Sequence, residues 1–193
     1  MKIPLDRNSA QAVYLQIRDR FRRLIENRQK NAILGNRCYW GNTMPTSKSS
    51  SASEYQLQVV KAIETLKNDL PTLFQKDISY DIYTQDIYFQ DPVNRFKWKF
   101  NYRIIFWTLR FHARLFFTKI FFDVHEIKQT EPDIIKVDWT VRGTLRLPWQ
   151  ANLFFNGNST YKLTEAGLIY NHLDNWDRKP SEILKQFLPK KND

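Results

Sequence analysis

From Ile87 to Arg178 the hydrophobic pattern of this chain changes period in an order that few folds can accommodate. Ile87-Tyr88-Phe89-Gln90 reads as a short strand ended by Asp91-Pro92. Residues 101–117 read as a helix that is apolar on most sides, which predicts burial on most sides. Strands follow at 120–128, 136–147, 151–163 and 168–176. The alternation is clearest in the second of these. Val137, Trp139, Val141, Leu145 and Leu147 share one parity, and Lys136, Asp138, Thr140, Arg142, Thr144 and Arg146 share the other. Short turns separate these strands, so consecutive ones are antiparallel neighbours. The expected fold is α+β: a cone-shaped, curved antiparallel sheet wrapped on a buried helix, with a cavity at its open end.

Upstream, Leu57, Val60, Ile63 or Ala62, Leu66 and Leu70 recur at helical spacing, and Pro71 fits the first turn of a short helix capped by Asp69. Thr46-Ser47-Lys48-Ser49-Ser50-Ser51-Ala52-Ser53 has the composition of a flexible linker. The expected organisation is a basic helical appendage at 1–30 with its helix over 13–25, a linker at 31–53, the cone domain at 54–188 and a tail at 189–193.

Charge follows the same division. Residues 1–53 hold ten of the thirty Lys and Arg residues but three of the twenty acids, so most of the net charge of +10 belongs to the appendage. Nucleic acid is therefore an unlikely partner for the main domain. The single cysteine, Cys38, cannot form an internal disulfide and favours a reducing compartment. Arg110, Arg114 and Lys119 interrupt the most apolar stretch, so no membrane span is expected.

The candidate chemistry is sparse. His172, Asp174 and Trp176 share a face of the last strand. A His and a carboxylate so placed can move protons, with Asp91 as a second carboxylate and Tyr161 as a donor; they also suit a structural polar network. Trp139, Arg142, Phe154, Trp176 and His112 are the candidate pocket residues. Arg142 and Arg146 with Lys136 form a basic row, interrupted by Asp138, that can meet an anion, nucleic acid or anionic lipid and also suits a solvated or salt-bridged face. Arg103, Arg110 and Arg114 share one edge of the apolar helix. Three scattered histidines give no metal motif, and no cofactor fingerprint is present.

Four segments carry a resemblance: Tyr88-Phe89-Gln90-Asp91-Pro92, Phe106-Trp107-Thr108-Leu109-Arg110-Phe111-His112, Trp139-Thr140-Val141-Arg142-Gly143, and His172-Leu173-Asp174-Asn175-Trp176-Asp177-Arg178-Lys179-Pro180. Together they resemble an uncharacterised domain family of cyanobacteria and plant chloroplasts, over about residues 54–188. The resemblance implies a nuclear transport factor 2-like (SnoaL-like) cone and implies no activity. Trp98 departs from it, at a position where a small residue, glycine, is expected. Ile3-Pro4-Leu5-Asp6-Arg7-Asn8-Ser9, continuing to Ile25, resembles the first helix of a GntR-type regulator, but the segment that opens the recognition helix of such proteins is absent.

The leading expectation is a small-ligand-binding or interaction module without catalysis, one that holds a small apolar or amphipathic ligand or uses its sheet to form a weak homodimer. An acid–base enzyme of the isomerase, hydratase or cyclase type is the alternative, and a remnant DNA-binding segment at the N-terminus is a second. The expected location is the cytoplasm, or alternatively the chloroplast stroma.

Overall fold

The computed structural model describes residues 48–189, apart from residues 148 and 150. The expected helix at 13–25, the GntR-like segment, Cys38, Pro148 and the last four residues lie outside the described residues. Helix α1 (Lys48–Asp69) passes through a 3-10 turn (Leu70–Thr72) to β1 (Tyr83–Gln90) and β2 (Arg95–Lys97). Helix α2 (Lys99–Phe116) runs directly into β3 (Phe117–Glu131). Then come β4 (Ile134–Leu145), β5 (Asn152–Leu163), β6 (Ile169–Trp176) and a short α3 (Pro180–Lys185). Among the described residues no helix is long and apolar enough to cross a membrane.

The strands form one curved, unclosed sheet in the order β2-β1-β6-β5-β4-β3. β3 to β6 pair antiparallel in succession, as their short turns require. One pairing departs from the antiparallel expectation, because β1 lies parallel to β6. No tight turn links these two strands, so turn geometry does not dictate their direction. β2 is a second addition. Asp91 and Asn94 close a turn that folds it back on β1. Register shifts break the β3–β4 ladder at three places, and such bulges bend a strand. At the β5–β6 turn Gly167 has φ 75, a conformation that glycine adopts without steric cost.

The core lies between the inner sheet face and the helices. Ile135, Val137, Trp139, Val141 and Leu145 of β4 are buried, as are Leu153, Phe155, Ser159, Tyr161 and Leu163 of β5. In α1 the buried stripe is Val59, Ala62 and Leu66, continuing to Leu70, while Leu57 and Val60 face out. The period was readable in the sequence, but Leu57 and Val60 satisfy it as well as Val59 does, so its phase was not. Asp69 makes no cap on the following turn; its carboxylate accepts from the Ser79 backbone N–H at 2.6 Å.

Two features of α2 matter for the site. Trp98 sits at its N-cap with φ 83, left-handed backbone that glycine adopts easily and tryptophan does not. That is the position where the family resemblance implies a small residue, glycine. The conformation is held by Trp98 N–H donating to Ile87 O at 2.9 Å and by Trp98 O accepting from Tyr102 N–H at 3.1 Å. Second, α2 is not buried on most sides. Asn101, Tyr102, Ile105, Phe106, Arg110 and Ala113 are buried, whereas Trp107, Phe111 and Leu115 are exposed.

Candidate functional site

Register sets the site. Ile135 of β4, Tyr161 of β5, His172 of β6 and Phe89 of β1 are successive Cα partners across the sheet. The next inward row is Val137, Ser159 and Asp174, and the next is Trp139, Gly157 and Trp176. Tyr102 of α2 reaches this surface from the helix side.

These residues form one chain of hydrogen bonds. Tyr102 Oη lies 2.7 Å from His172 Nδ1, and His172 Nε2 lies 2.8 Å from Asp174 Oδ1. Ser159 Oγ donates to the same Asp174 oxygen at 2.5 Å and accepts from Trp139 Nε1 at 2.8 Å. An ionised carboxylate only accepts, so the proton belongs on Nε2. In the neutral imidazole Nδ1 is then the acceptor, and the Tyr102 hydroxyl donates to it. Every donor in the chain therefore points toward Asp174. His172 is 3% exposed, stacked on Tyr161 at 4.2 Å between centroids and met edge-on by Phe89. The side chain of Asp174 is 17% exposed and is the wet end of the chain.

Gly157 makes room for this arrangement. A Cβ there would lie 2.4 Å from the Trp139 ring and 2.6 Å from Asn175 O. The bare backbone lets the indole lie across β5 and reach Ser159.

The electrostatics follow from burial. Tyr83, Tyr102 and Tyr161 all have hydroxyls pushed above the usual tyrosine range, first by desolvation, with the charge of Asp174 adding in the same direction. They stay phenols, and the Tyr102 hydroxyl keeps the proton that it donates to His172. The Tyr161 hydroxyl is fully buried and makes no hydrogen bond in the structure. Desolvation also raises the Asp91 carboxyl above its ordinary value, and the charge of Asp174 adds to this. Asp91 accepts from the Val93 and Asn94 backbone N–H groups and from Asn94 Nδ2, which lower it in part. It is the cap of the β1–β2 turn, with both oxygens engaged.

The candidate residues thus separate. His172, Asp174 and Tyr161 meet on the inner face, Asp91 caps the neighbouring turn, and Trp139 and Trp176 flank the site in the third row. Arg142 and Phe154 do not join them. Residues of opposite parity in a strand point to opposite faces, and both belong to the outer face. Arg142 pairs there with Asp123 and covers the Phe121 ring, so its charge is answered within the chain. His112 is half-buried on α2, stacked parallel to Phe116 at 5.7 Å. Burial lowers its imidazole below the usual histidine value. His125 is on the outer face beside Thr140, whose hydroxyl donates to Asn156 Oδ1; its one proton is committed there, so His125 Nε2 donates to Thr140.

Sequence reasoning missed Tyr102 and Ser159. Ser159 had a signal: it shares the inward parity of Phe155, Tyr161 and Leu163. Tyr102 had one too, at helical spacing from Phe106 and Arg110.

The far side of α2 is a different surface. Trp107 is 60% exposed and stacks on Phe111, which is 49% exposed, and Leu115 beyond them is 51% exposed. The arginine edge latches α2 to the preceding loop. Arg103 covers the Tyr80 ring at 5.0 Å, Arg110 pairs with Asp77 at 2.7 Å, and Arg114 donates to Gln75 O at 3.1 Å.

The uncharacterized conserved protein family DUF2358 matches residues 60–172, more than half of the chain, and the chain belongs to that family. No curated protein matches it at a significant level. Among solved structures it is similar to a phenazine biosynthesis-related protein of Pseudomonas aeruginosa, with 11% identity, 74% of this chain and 96% of that one covered, and a TM-score of 0.47. It is similar to an NTF2-like protein of unknown function from Cytophaga hutchinsonii, with 9% identity, 61% and 96% coverage, and a TM-score of 0.47. It is also similar to a putative isomerase of the SnoaL-like family from Agrobacterium tumefaciens, with 12% identity, 63% and 99% coverage, and a TM-score of 0.41.

Proposed function

We propose that this DUF2358 chain is an interaction module without catalysis, in which the His172 chain is a structural tie and the outer face of α2 meets a partner. One observation carries the reading: His172 is buried and both its ring nitrogens are engaged, by Tyr102 and Asp174. A catalytic base must come within hydrogen-bond reach of the proton that it removes. Here the tyrosine and the carboxylate occupy both positions from which a substrate would be met. Asp91 is held in the same way by its own turn. The exposed Trp107, Phe111 and Leu115 supply the other half of the reading, since contiguous apolar surface on a folded chain marks contact with something else.

A thermal-shift screen of small carboxylic acids, ketones and apolar ligands tests this on wild type and on Asp174→Asn. The expected result is no stabilisation of either protein. A compound that raises the melting temperature of wild type and leaves Asp174→Asn unmoved would restore the acid–base enzyme, or the small-ligand binder, as the better reading.

A further inference from the structure

We infer that the outer face of α2 docks on an anionic lipid surface, lying flat in the interface rather than spanning it. The inference rests on the interaction reading above and names the partner's chemistry. Its first support is the composition of α2. The helix has no Asp or Glu in eighteen residues, and it has Lys99, Arg103, Arg110 and Arg114. Its second is where those groups fall. Trp107, Phe111 and Leu115 recur at four-residue spacing and form one exposed apolar stripe. Arg103 and Arg114 are exposed on the flank of that stripe, four residues before Trp107 and three after Phe111.

The partners of the arginines decide which of them carry free charge. Arg110 is neutralised by Asp77. Arg103 lies over a tyrosine ring and Arg114 donates to a backbone carbonyl, and neither contact cancels a positive charge. At the end of the helix Arg146 adds another, donating to Phe117 O while its backbone N–H caps Phe116 O. The face is thus aromatic and apolar along its centre, with tryptophan among its rings and uncancelled cations at its edge. That is the pattern of helices that rest in the headgroup region: the rings and Leu115 enter the acyl boundary, and the guanidinium groups meet lipid phosphates.

The same chemistry argues against a second copy as the occupant. A two-fold contact places the same patch on both sides of the interface. Arg103 and Arg114 would then face the same patch on the second copy with no carboxylate on either helix to answer them. A neutral apolar partner would leave both cations desolvated and unpaired.

Co-sedimentation of the full chain with phosphatidylcholine vesicles, with and without phosphatidylglycerol, tests the inference. The N-terminal 53 residues are themselves basic, so the informative variant keeps every charge: Trp107→Ser with Phe111→Ser. Wild type is expected to sediment with the mixed vesicles and weakly with pure phosphatidylcholine. The double variant should bind the mixed vesicles at least about ten-fold more weakly, with an unchanged circular dichroism spectrum. Arg103→Glu with Arg114→Glu should weaken binding as well. If Trp107→Ser/Phe111→Ser sediments like wild type, charge elsewhere in the chain holds the membrane and the inference is overturned. It is equally overturned if wild type fails to sediment. Analytical ultracentrifugation of the same pair separates that failure from failure of the interaction reading. A wild-type dimer that becomes monomeric in the double variant would assign the face to a second copy, sinking the lipid proposal and leaving the module reading in place.

Discussion

Tyr102 and Trp107 stand five residues apart on the same helix and live in opposite environments. Tyr102 is fully buried, surrounded by Tyr83, Phe89, Phe106 and His172, and its hydroxyl begins the hydrogen-bond chain that ends at Asp174. Trp107 is mostly in water and stacks on a ring of its own helix. Both are large aromatic residues in a run that reads as uniformly apolar. Composition therefore says that a helix carries apolar surface and not which neighbour covers it. On the inner side the polar atoms of Tyr102, His172, Asp174, Ser159 and Trp139 are held in one chain of hydrogen bonds, and on the outer side the apolar stripe has no such partners within the described residues.

The inner side should be the more sensitive to substitution. His172→Ala removes a packed ring and leaves the Tyr102 hydroxyl and the Asp174 carboxylate without their partner. A loss of about 3–5 kcal/mol in unfolding free energy is expected, measured by urea denaturation. A loss below 1 kcal/mol would mean that the chain of hydrogen bonds does not tie the helix to the sheet. Gly157→Ala comes next. Its Cβ meets the Trp139 indole and the Asn175 carbonyl together, so relief requires the sheet as well as the ring to move. Overpacking of this kind costs about 1–3 kcal/mol, and the shift of the indole is readable by near-ultraviolet circular dichroism.

Those two residues also locate the limit of reading the sequence. The period-2 alternation of residues 136–147 placed Val137, Trp139 and Val141 inward correctly, because one buried face leaves a strand a single tolerable register. The four-strand meander was legible for the same reason. The parallel β1–β6 pair was not, because residues far apart in the chain meet there without a turn to orient them. The His172–Asp174 pair was readable from spacing alone. Its completion by Tyr102 and Ser159 needed the three-dimensional register, and so did the displacement of Arg142 and Phe154 to the outer face. The exposed side of α2 escaped notice because apolar character was equated with burial, and that holds only where a neighbour exists.

Trp98 sharpens the comparison from the other direction. It lies where α2 begins, half-exposed and in backbone that favours glycine. Trp98→Gly should raise stability by about 1 kcal/mol, as strain is released at little cost in burial. A destabilised variant would show that the indole packs usefully at that corner.

The pH dependence separates the turn from the core. Desolvation and the charge of Asp174 raise the Asp91 carboxyl. A carboxyl raised in the folded state contributes stability that is complete below its ordinary value of about 3.9 and is lost as pH rises through the raised value. Wild type should therefore lose stability relative to Asp91→Asn as pH is raised across that window, in urea titrations at successive pH values. A difference that is flat or grows in the other direction would mean that the turn hydrogen bonds outweigh burial. His112 works oppositely: its lowered imidazole gives stability present above its ordinary value of about 6.5 and lost on acidification.

The smallest expected effect is the most direct test of the division between the two sides of α2. Urea unfolding of the Trp107→Ser/Phe111→Ser variant should give an unfolding free energy within about 0.5 kcal/mol of wild type, because both rings already face water and serine holds a helix about as well as they do. The same substitutions should weaken attachment to anionic vesicles at least about ten-fold. A loss of several kcal/mol, comparable to that of His172→Ala, would contradict the account, because it would make the outer aromatic stripe part of the fold rather than a surface kept for a partner.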